Sequence, residues 1–246
     1  MIHPKKKWGQ NFLVDPNISK KIVNLLDINL NDTILEIGPG KGALTKYIKA
    51  KKITAIEIDN NLCELIEKQK IKNLDIINQD FLKTNLNNLK FNKIVGNLPY
   101  NISSQIIFKL LGKCDWSKAV IMLQKELADR IASNKGTKKY GRISVMIQSM
   151  CHVTKEFNIS ANCFYPKPEV TSSIISLVNK KTPIDYKNLE LIVRACFSQR
   201  RKKIKNTLKE VCKHENLSNY YDKRPESLSV DDFLLISKTI KQNSLL

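Results

Sequence analysis

Five short runs rich in Ile, Val and Leu limit what this chain can fold into more than any other feature. They are Thr33–Ile37, Ile53–Ile58, Leu74–Asn78, Lys93–Asn97 and Lys118–Leu123. Each is too short for a buried helix and nearly continuously apolar, as strands covered on both faces are. Between them lie helix-like stretches at Leu44–Ala50, Asn60–Gln69 and Ser103–Leu111, the last opening on a serine pair placed to cap its first turn. Such alternation predicts right-handed crossover units and an α/β fold around a mostly parallel sheet. Two more runs, His152–Ile159 and Thr171–Val178, flank Pro166 and Pro168 and predict an antiparallel edge. Gly141–Met150 reads as a helix.

From Thr182 onward the strand pattern stops, which predicts two domains, 1–181 and 182–246. Val193, Phe197, Ile204, Leu208 and Val211 recur at helical spacing, the stripe of one amphipathic helix or two in line. Ser229, with Asp231 and Asp232 in the first turn, starts a last helix reaching about Ile240.

The charge is strongly positive, +19, and points to a polyanionic partner. An abundance of Lys, Asn and Ile throughout could follow from coding bias, but bias does not place the arginines. Three of the six lie in one segment. Between Arg194 and Lys213 there are eight basic residues and one acid, Glu210. Arg194, Arg200, Arg201, Lys202, Lys203 and Lys205 are therefore the candidate nucleic-acid contacts, on the outer face of a helix, with Lys5, Lys6 and Lys7 adding to the same surface.

No apolar run approaches the roughly 18 residues that would span a membrane, and the basic start lacks a signal peptide's apolar stretch. Cysteines 63, 114, 151, 163, 196 and 212 form no Cys-x-x-Cys pair, and His3, His152 and His214 lie far apart. Neither a disulfide framework nor a metal site is expected, and a reducing compartment, the cytoplasm, is.

Candidate chemistry gathers at the predicted carboxyl strand ends, where open α/β sheets bind ligands. Gly38 and Gly40 in Glu36-Ile37-Gly38-Pro39-Gly40 let the backbone turn tightly beside a ligand. Glu57 ends the second strand, placed for the two hydroxyls of a ribose, and Asp80 follows the third, where it can accept from an adenine amino group. A dinucleotide fingerprint fits these glycines loosely, but Pro39 removes an amide that a pyrophosphate would use. S-adenosylmethionine needs close backbone approach and a carboxylate for its ribose, and fits better. The fourth strand ends in Asn97-Leu98-Pro99-Tyr100, where Pro99 must stop the ladder. Asn97 Oδ1 and the Leu98 carbonyl can accept both hydrogens of an exocyclic amine while Tyr100 stacks on the base. Phe164 is placed to stack from the other side. A strand-end turn with a packed tyrosine, and a phenylalanine plugging the core, are the structural alternatives.

The motifs Gln10-Asn11-Phe12-Leu13, Glu36-Ile37-Gly38-Pro39-Gly40, Glu57-Ile58-Asp59, Gln79-Asp80 and Asn97-Leu98-Pro99-Tyr100-Asn101-Ile102 occur in order. Together with Leu123-Gln124-Lys125-Glu126, Tyr140-Gly141-Arg142 and Phe164-Tyr165-Pro166-Lys167-Pro168, they resemble the rRNA adenine N6,N6-dimethyltransferase family over nearly the whole chain. Phe197-Ser198-Gln199-Arg200-Arg201-Lys202 and Arg224-Pro225-Glu226-Ser227 resemble its small-subunit (16S) branch. The resemblance implies a Rossmann-like, S-adenosylmethionine-dependent methyltransferase sheet with a small helical C-terminal domain. It implies that Asn11, Leu13, Gly38, Glu57, Asp80 and Asn97 touch S-adenosyl-L-methionine. The implied reaction dimethylates two adjacent adenosines near the 3′ end of 16S rRNA in the small ribosomal subunit, by a monomer, without catalytic His or Cys. Lys41 departs from the family pattern and is expected to face solvent.

Three other readings compete. A large-subunit (23S) rRNA methyltransferase shares these pockets, but the Arg200-Arg201-Lys202 run argues against it. DNA adenine or protein glutamine methyltransferases commonly place two prolines after the Asn, where this chain has Leu98. A non-catalytic nucleic-acid-binding factor on the same scaffold would not need Glu57, Asp80 and Asn97 together.

Overall fold

A computed structural model of the protein describes residues 4–5, 8–112, 115–209 and 217–240. Among the described residues nine strands follow one another: β1 (Phe12–Leu13), β2 (Thr33–Ile37), β3 (Lys52–Glu57), β4 (Leu74–Asn78), β5 (Lys93–Asn97), β6 (Lys118–Gln124), β7 (Cys151–Ile159), β8 (Phe164–Tyr165) and β9 (Ser172–Asn179). The longer helices are α1 (Pro16–Asn24), α2 (Asn60–Glu67), α3 (Ser103–Leu111), α4 (Lys125–Ile131) and α5 (Arg142–Met150), followed towards the C-terminus by α6 (Tyr186–Ser198), the short α7 (Ile204–Thr207) and α8 (Ser218–Tyr221), and α9 (Val230–Thr239).

Seven strands form one sheet in the order β4-β3-β2-β5-β6-β9-β7. From β4 to β6 every neighbouring pair is parallel, and β9 runs antiparallel to β6. The strands build outward from β2 in one direction, then from β5 in the other. The point where the order reverses lies between β2 and β5, which is where such sheets leave a crevice for a ligand. Gly96 permits the close pairing there: a Cβ on it would meet the Ile37 carbonyl at 2.8 Å.

The central strands are buried almost end to end, including Ile34, Leu35, Ile53, Val95 and Val120. Their apolar runs are as expected of a sheet covered on both faces. Asp15 caps α1 by accepting from Asn17 and Ile18 N–H, and Asp59 caps α2 from Asn61 N–H. Two local expectations fail. Leu44–Ala50 makes only one 3₁₀ turn, Thr45–Tyr47, after which Ile48 is extended; Leu44 and Ile48 are apolar plugs for the core. At α3 the Ser103 hydroxyl donates to the Pro99 carbonyl at 2.8 Å instead of capping, and the N-cap position is Ile102.

The chain divides into two compact units, Met1–Ala128 with Thr154–Asn179, and Asp129–Val153 with Lys180–Leu246. The expected boundary after residue 181 falls within two residues of the last division. The segment 129–153, read from sequence as part of the first domain, groups instead with the C-terminal helices. The reason is α5, buried on most of its circumference, which needs helical cover and packs on α6 and α9.

In the second unit the expected stripe, read as one helix or two in line, is divided between two helices. α6 ends at Ser198, Gln199 leaves helical geometry, and α7 resumes for four residues. Four successive cations, 200–203, occupy the break. Val211, the last residue of the predicted stripe, lies outside the described residues, as do Lys6, Lys7, Glu210 and Lys213. Ser229 caps α9 through Asp232 N–H, as expected, and Asp232 reciprocates at Ser229 N–H.

Candidate active site

A cavity of about 260 Å³ opens at the carboxyl ends of β2–β5. Asn11, Leu13, Gly38, Gly40, Glu57, Asp80, Asn97, Leu98 and Tyr100, nine of the ten pocket residues expected from sequence, line it together. Gly38 and Gly40 both hold positive φ, +65° and +59°. A Cβ on Gly40 would come within 3.2 Å of the Phe12 ring, so the loop fits only as glycine and leaves its backbone bare towards the cavity.

The acids divide by environment. Glu57, 6% exposed, accepts from Gly40 N–H on Oε2 at 3.2 Å and from Asp59 N–H on Oε1 at 3.0 Å. Burial pushes its carboxyl up, against the opposing pull of those amides. Asp80 accepts from Leu82 N–H on Oδ1 at 2.9 Å, and Oδ2 has no hydrogen-bond partner among the described residues. Each carboxylate thus retains acceptor capacity for a ligand's hydroxyl or amino group.

Asn97 is anchored by its amide nitrogen. Its Nδ2 donates to the Asn11 carbonyl at 2.8 Å, which fixes the amide orientation and leaves Oδ1 as an acceptor. Leu98 gives its N–H to Met122 O at 3.0 Å, while its own carbonyl accepts nothing among the described residues. Tyr100 is held by a 2.6 Å hydrogen bond between its hydroxyl and Ser172 Oγ. Burial pushes that phenol up, and the Ser172 contact opposes it. The pocket wall therefore offers two adjacent acceptors beside an aromatic ring whose far end is anchored.

Two expected placements are corrected. Phe164 is 4% exposed, belongs to the apolar core and does not line the cavity. In the β1–β8 ribbon it pairs with Leu13, also a core residue, whereas its neighbour Tyr165, 58% exposed, pairs with Phe12. Alternation along the strand puts those two pairs on opposite faces. Lys41, expected in solvent, lines the cavity with its Nζ 4.7 Å from the centre of the Phe12 ring, a cation–π distance.

Sequence reading missed Glu36 as a site residue, although the motif containing it was noted. It ends up 1% exposed, lining the cavity, with Oε2 unpartnered among the described residues. Burial pushes its carboxyl up to about 7, opposed by Thr45 and reinforced by the charge of Glu57. A glutamate within a continuously apolar strand was the available signal. Because the folded-state value lies above the unfolded 4.5, the folded protein holds an extra proton between them. Stability is full below about pH 4.5 and declines as pH rises through 7, by roughly 3 kcal/mol at most. Glu36→Gln should therefore melt at a higher temperature than the parent at pH 8 and show little advantage at pH 4.5. Parallel melting curves for the two proteins across that range would refute the burial argument.

The candidate nucleic-acid residues lie in the second unit and differ in what holds them. Arg200 is fully engaged: Nε donates to Glu226 Oε2 at 2.7 Å, and its terminal nitrogens donate to the carbonyls of Lys138 and Thr137 at 2.7 and 3.0 Å. Lys203 and Lys205 share Asp222 Oδ1, at 2.9 and 3.1 Å. Arg194, Arg201 and Lys202 are exposed and have no ion-pair partner among the described residues. Arg200 is thus a brace for its own unit, and the expected single cationic helix face does not form.

Among the described residues no group of three or more His, Cys, Asp or Glu could hold a metal ion, and no helix is long and apolar enough to cross a membrane. Cys63, Cys151, Cys163 and Cys196 are not in disulfides.

Comparison with known proteins agrees with this geometry. Residues 1–242 match the model of the ribosomal RNA adenine dimethylase family. Two curated relatives, each named ribosomal RNA small subunit methyltransferase A, come from Borreliella afzelii and Malacoplasma penetrans. The first is 43% identical over 97% of this chain and 89% of its own. The second is 44% identical over 93% of this chain and 89% of its own. Among solved structures, a dimethyladenosine transferase from Plasmodium falciparum superposes with a TM-score of 0.83 at 30% identity, covering 91% of this chain and 94% of the other. The 23S rRNA methyltransferase ErmE shares the fold, with a TM-score of 0.72 at 24% identity over 94% of this chain and 100% of its own.

Proposed function

The chain belongs to the ribosomal RNA adenine dimethylase family, and we propose that Asn97, Leu98 and Tyr100 carry its reaction on adjacent adenosines near the 3′ end of 16S rRNA in the small ribosomal subunit. It is an S-adenosylmethionine-dependent rRNA adenine dimethyltransferase. The observation that carries the assignment of roles is the Asn97 amide, turned by Asn11 so that an acceptor remains in the same cavity as Glu57 and Asp80.

The donor fits the residues present. The bare glycine loop suits close approach of its methionine portion, Glu57 its ribose hydroxyls, and Asp80 its adenine amine. Bound there, S-adenosylmethionine supplies an electrophilic methyl on a sulfonium.

What the protein adds is position. An adenine N6 is a poor nucleophile because its lone pair is conjugated with the ring. Asn97 Oδ1 and the Leu98 carbonyl, each accepting one N–H, favour a pyramidal nitrogen with its lone pair aimed away from both. A nitrogen so held would take the methyl that a bound donor would supply in exchange for its thioether, and would then lose a proton to water, so no strong base is needed. Positioning of this kind is a large catalytic effect in its own right. Drawing the base from its stack costs a few kcal/mol, and stacking on Tyr100 offsets roughly 1–3 kcal/mol of it.

In the second unit we assign phosphate contact to Arg194, Arg201 and Lys202, which have no ion-pair partner among the described residues. Lys203 and Lys205 join them by exchanging Asp222 for phosphate, since exposed ion pairs are worth little. The relatives' small-subunit names favour that subunit over the large one as substrate. We assign the protein to the cytoplasm, acting as a single chain.

Tyr100 separates ring from hydroxyl. Tyr100→Ala should lower kcat/KM about 10- to 100-fold, the worth of one stacked base. Tyr100→Phe should lose only a few-fold, the worth of one hydrogen bond to Ser172. Equal losses would transfer the role to the hydroxyl. The reading as a whole is tested by methyl transfer from labelled donor to undermethylated small subunits, naked rRNA and large subunits side by side. Label on adjacent adenosines of the small-subunit RNA is expected, and label confined to large subunits would overturn it.

A further inference from the structure

Asp59 has more partners than a helix cap requires. It follows β3, is 1% exposed, and caps α2 through Asn61 N–H at 3.2 Å. A neutral Asn or Ser would serve for that. The same carboxylate accepts from Lys5 Nζ on Oδ1 at 2.8 Å and from Gln10 Nε2 on Oδ2 at 3.2 Å. Gln10 Oε1 in turn accepts from Lys5 N–H at 2.8 Å, which closes a ring of three residues. Burial would push the Asp59 carboxyl up, but Lys5 and Gln10 outweigh it and hold it below the usual range.

What this ring holds is the wall of the cavity. Trp8–Leu13 all line it, and Asn11, the residue after Gln10, is the one whose carbonyl takes Asn97 Nδ2. On its other side Asp59 gives its own N–H to Glu57 Oε1. One buried residue therefore touches both the segment that orients the amine acceptor and the acid assigned to the ribose, while itself lying outside the cavity lining.

We infer that Asp59 is a positioning residue: through Lys5 and Gln10 it seats Trp8–Leu13, and so sets the aim of the Asn97 amide and closes the donor's side of the pocket. The inference rests on the methyltransferase reading of that pocket. Side chains reach productive geometry only when their supporting contacts are themselves fixed.

Two variants test it. Lys5→Met leaves the α2 cap, the Glu57 contact and every cavity-lining side chain in place. Asp59→Asn keeps a capping side chain but loses the charge that holds Lys5. For each, amide hydrogen exchange of Trp8–Leu13 is measured without donor, and kcat and the donor KM are measured on undermethylated small subunits. Exchange in Trp8–Leu13 should quicken about tenfold. The donor KM should rise and kcat fall, each about five- to tenfold, with the melting temperature nearly unchanged; Lys5→Arg should restore all three. The double variant should be no worse than the poorer single one, as expected of one interaction removed twice. A purely structural role would lower the melting temperature and the active fraction while leaving the donor KM alone, and that outcome overturns the inference. So does unchanged exchange, or faster exchange with parental kinetics. If the parent protein transfers no methyl at all, the pocket reading falls, and the exchange comparison still decides whether Asp59 seats the segment.

Discussion

Asn97→Ala should lower turnover about 10²- to 10³-fold, the cost of removing one group that meets developing charge in a transition state, while donor affinity changes by no more than about tenfold. The asymmetry follows from what the side chain does. Its Nδ2 bond to Asn11 O is internal and present whether or not anything is bound. Its Oδ1, in the role proposed for it, acts only on the substrate amine. Asn97→Asp sharpens the test, because it keeps the shape and gains acceptor strength but loses the donor. Two oxygens would then face each other across 2.8 Å, and the side chain must turn or take a proton. Turnover close to that of the alanine variant is expected, with single-turnover rates on small subunits as the measurement. If either variant keeps near-parental turnover, the amine is accepted elsewhere.

How much of this was legible in the sequence depended on whether the deciding partner was near in the chain. Thr33–Ile37, Leu74–Asn78, Lys93–Asn97 and Ser103–Leu111 appear at their expected bounds; for the two central strands, Thr33–Ile37 and Lys93–Asn97, the reason is that burial on both faces demands apolar residues and that a proline must stop β5. Leu44 and Ile48 satisfy helical spacing equally well as two core plugs on a turn, and spacing alone does not distinguish these. Phe164 and Tyr165 form a strand of two residues, too short for alternation to say which ring faces the core; only the register with Phe12 and Leu13 decides.

The cations show the same limit. A run of basic residues predicts a charged surface, but not which charges already have partners. Glu226 lies 26 residues after Arg200, and the Thr137 and Lys138 carbonyls lie more than 60 before it. Asp222 takes Lys203 and Lys205 through a fold that local pattern does not specify. For the pocket the reverse holds. Gly38, Glu57, Asp80 and Asn97 sit at the ends of successive strands, so a correct strand assignment alone brings them together.

Glu57→Ala should weaken donor binding by roughly 10²- to 10³-fold, since a carboxylate holding two hydroxyls forms two charge-assisted hydrogen bonds of about 1.5–3 kcal/mol each, partly offset by the cost of stripping water from the acid. The alanine variant also strands Gly40 N–H and Asp59 N–H, both now held by this side chain, and so confounds binding with loop order. Glu57→Gln confounds the two less. Its carbonyl oxygen still accepts from one of those two N–H groups while its NH2 meets the other, its shape is unchanged, and burial that pushes the Glu57 carboxyl up favours a neutral group there. That variant should melt above the alanine variant at pH 8 and bind donor about tenfold more weakly than the parent. With donor saturating, both variants should approach parental kcat, because contacts made equally in ground and transition states affect KM and not turnover. Calorimetric titration with donor, alongside kcat at saturation, supplies both readings. An alanine variant that binds as tightly as the parent would mean that the ribose lies elsewhere, and a glutamine variant with parental KM but low kcat would place Glu57 in the chemical step instead.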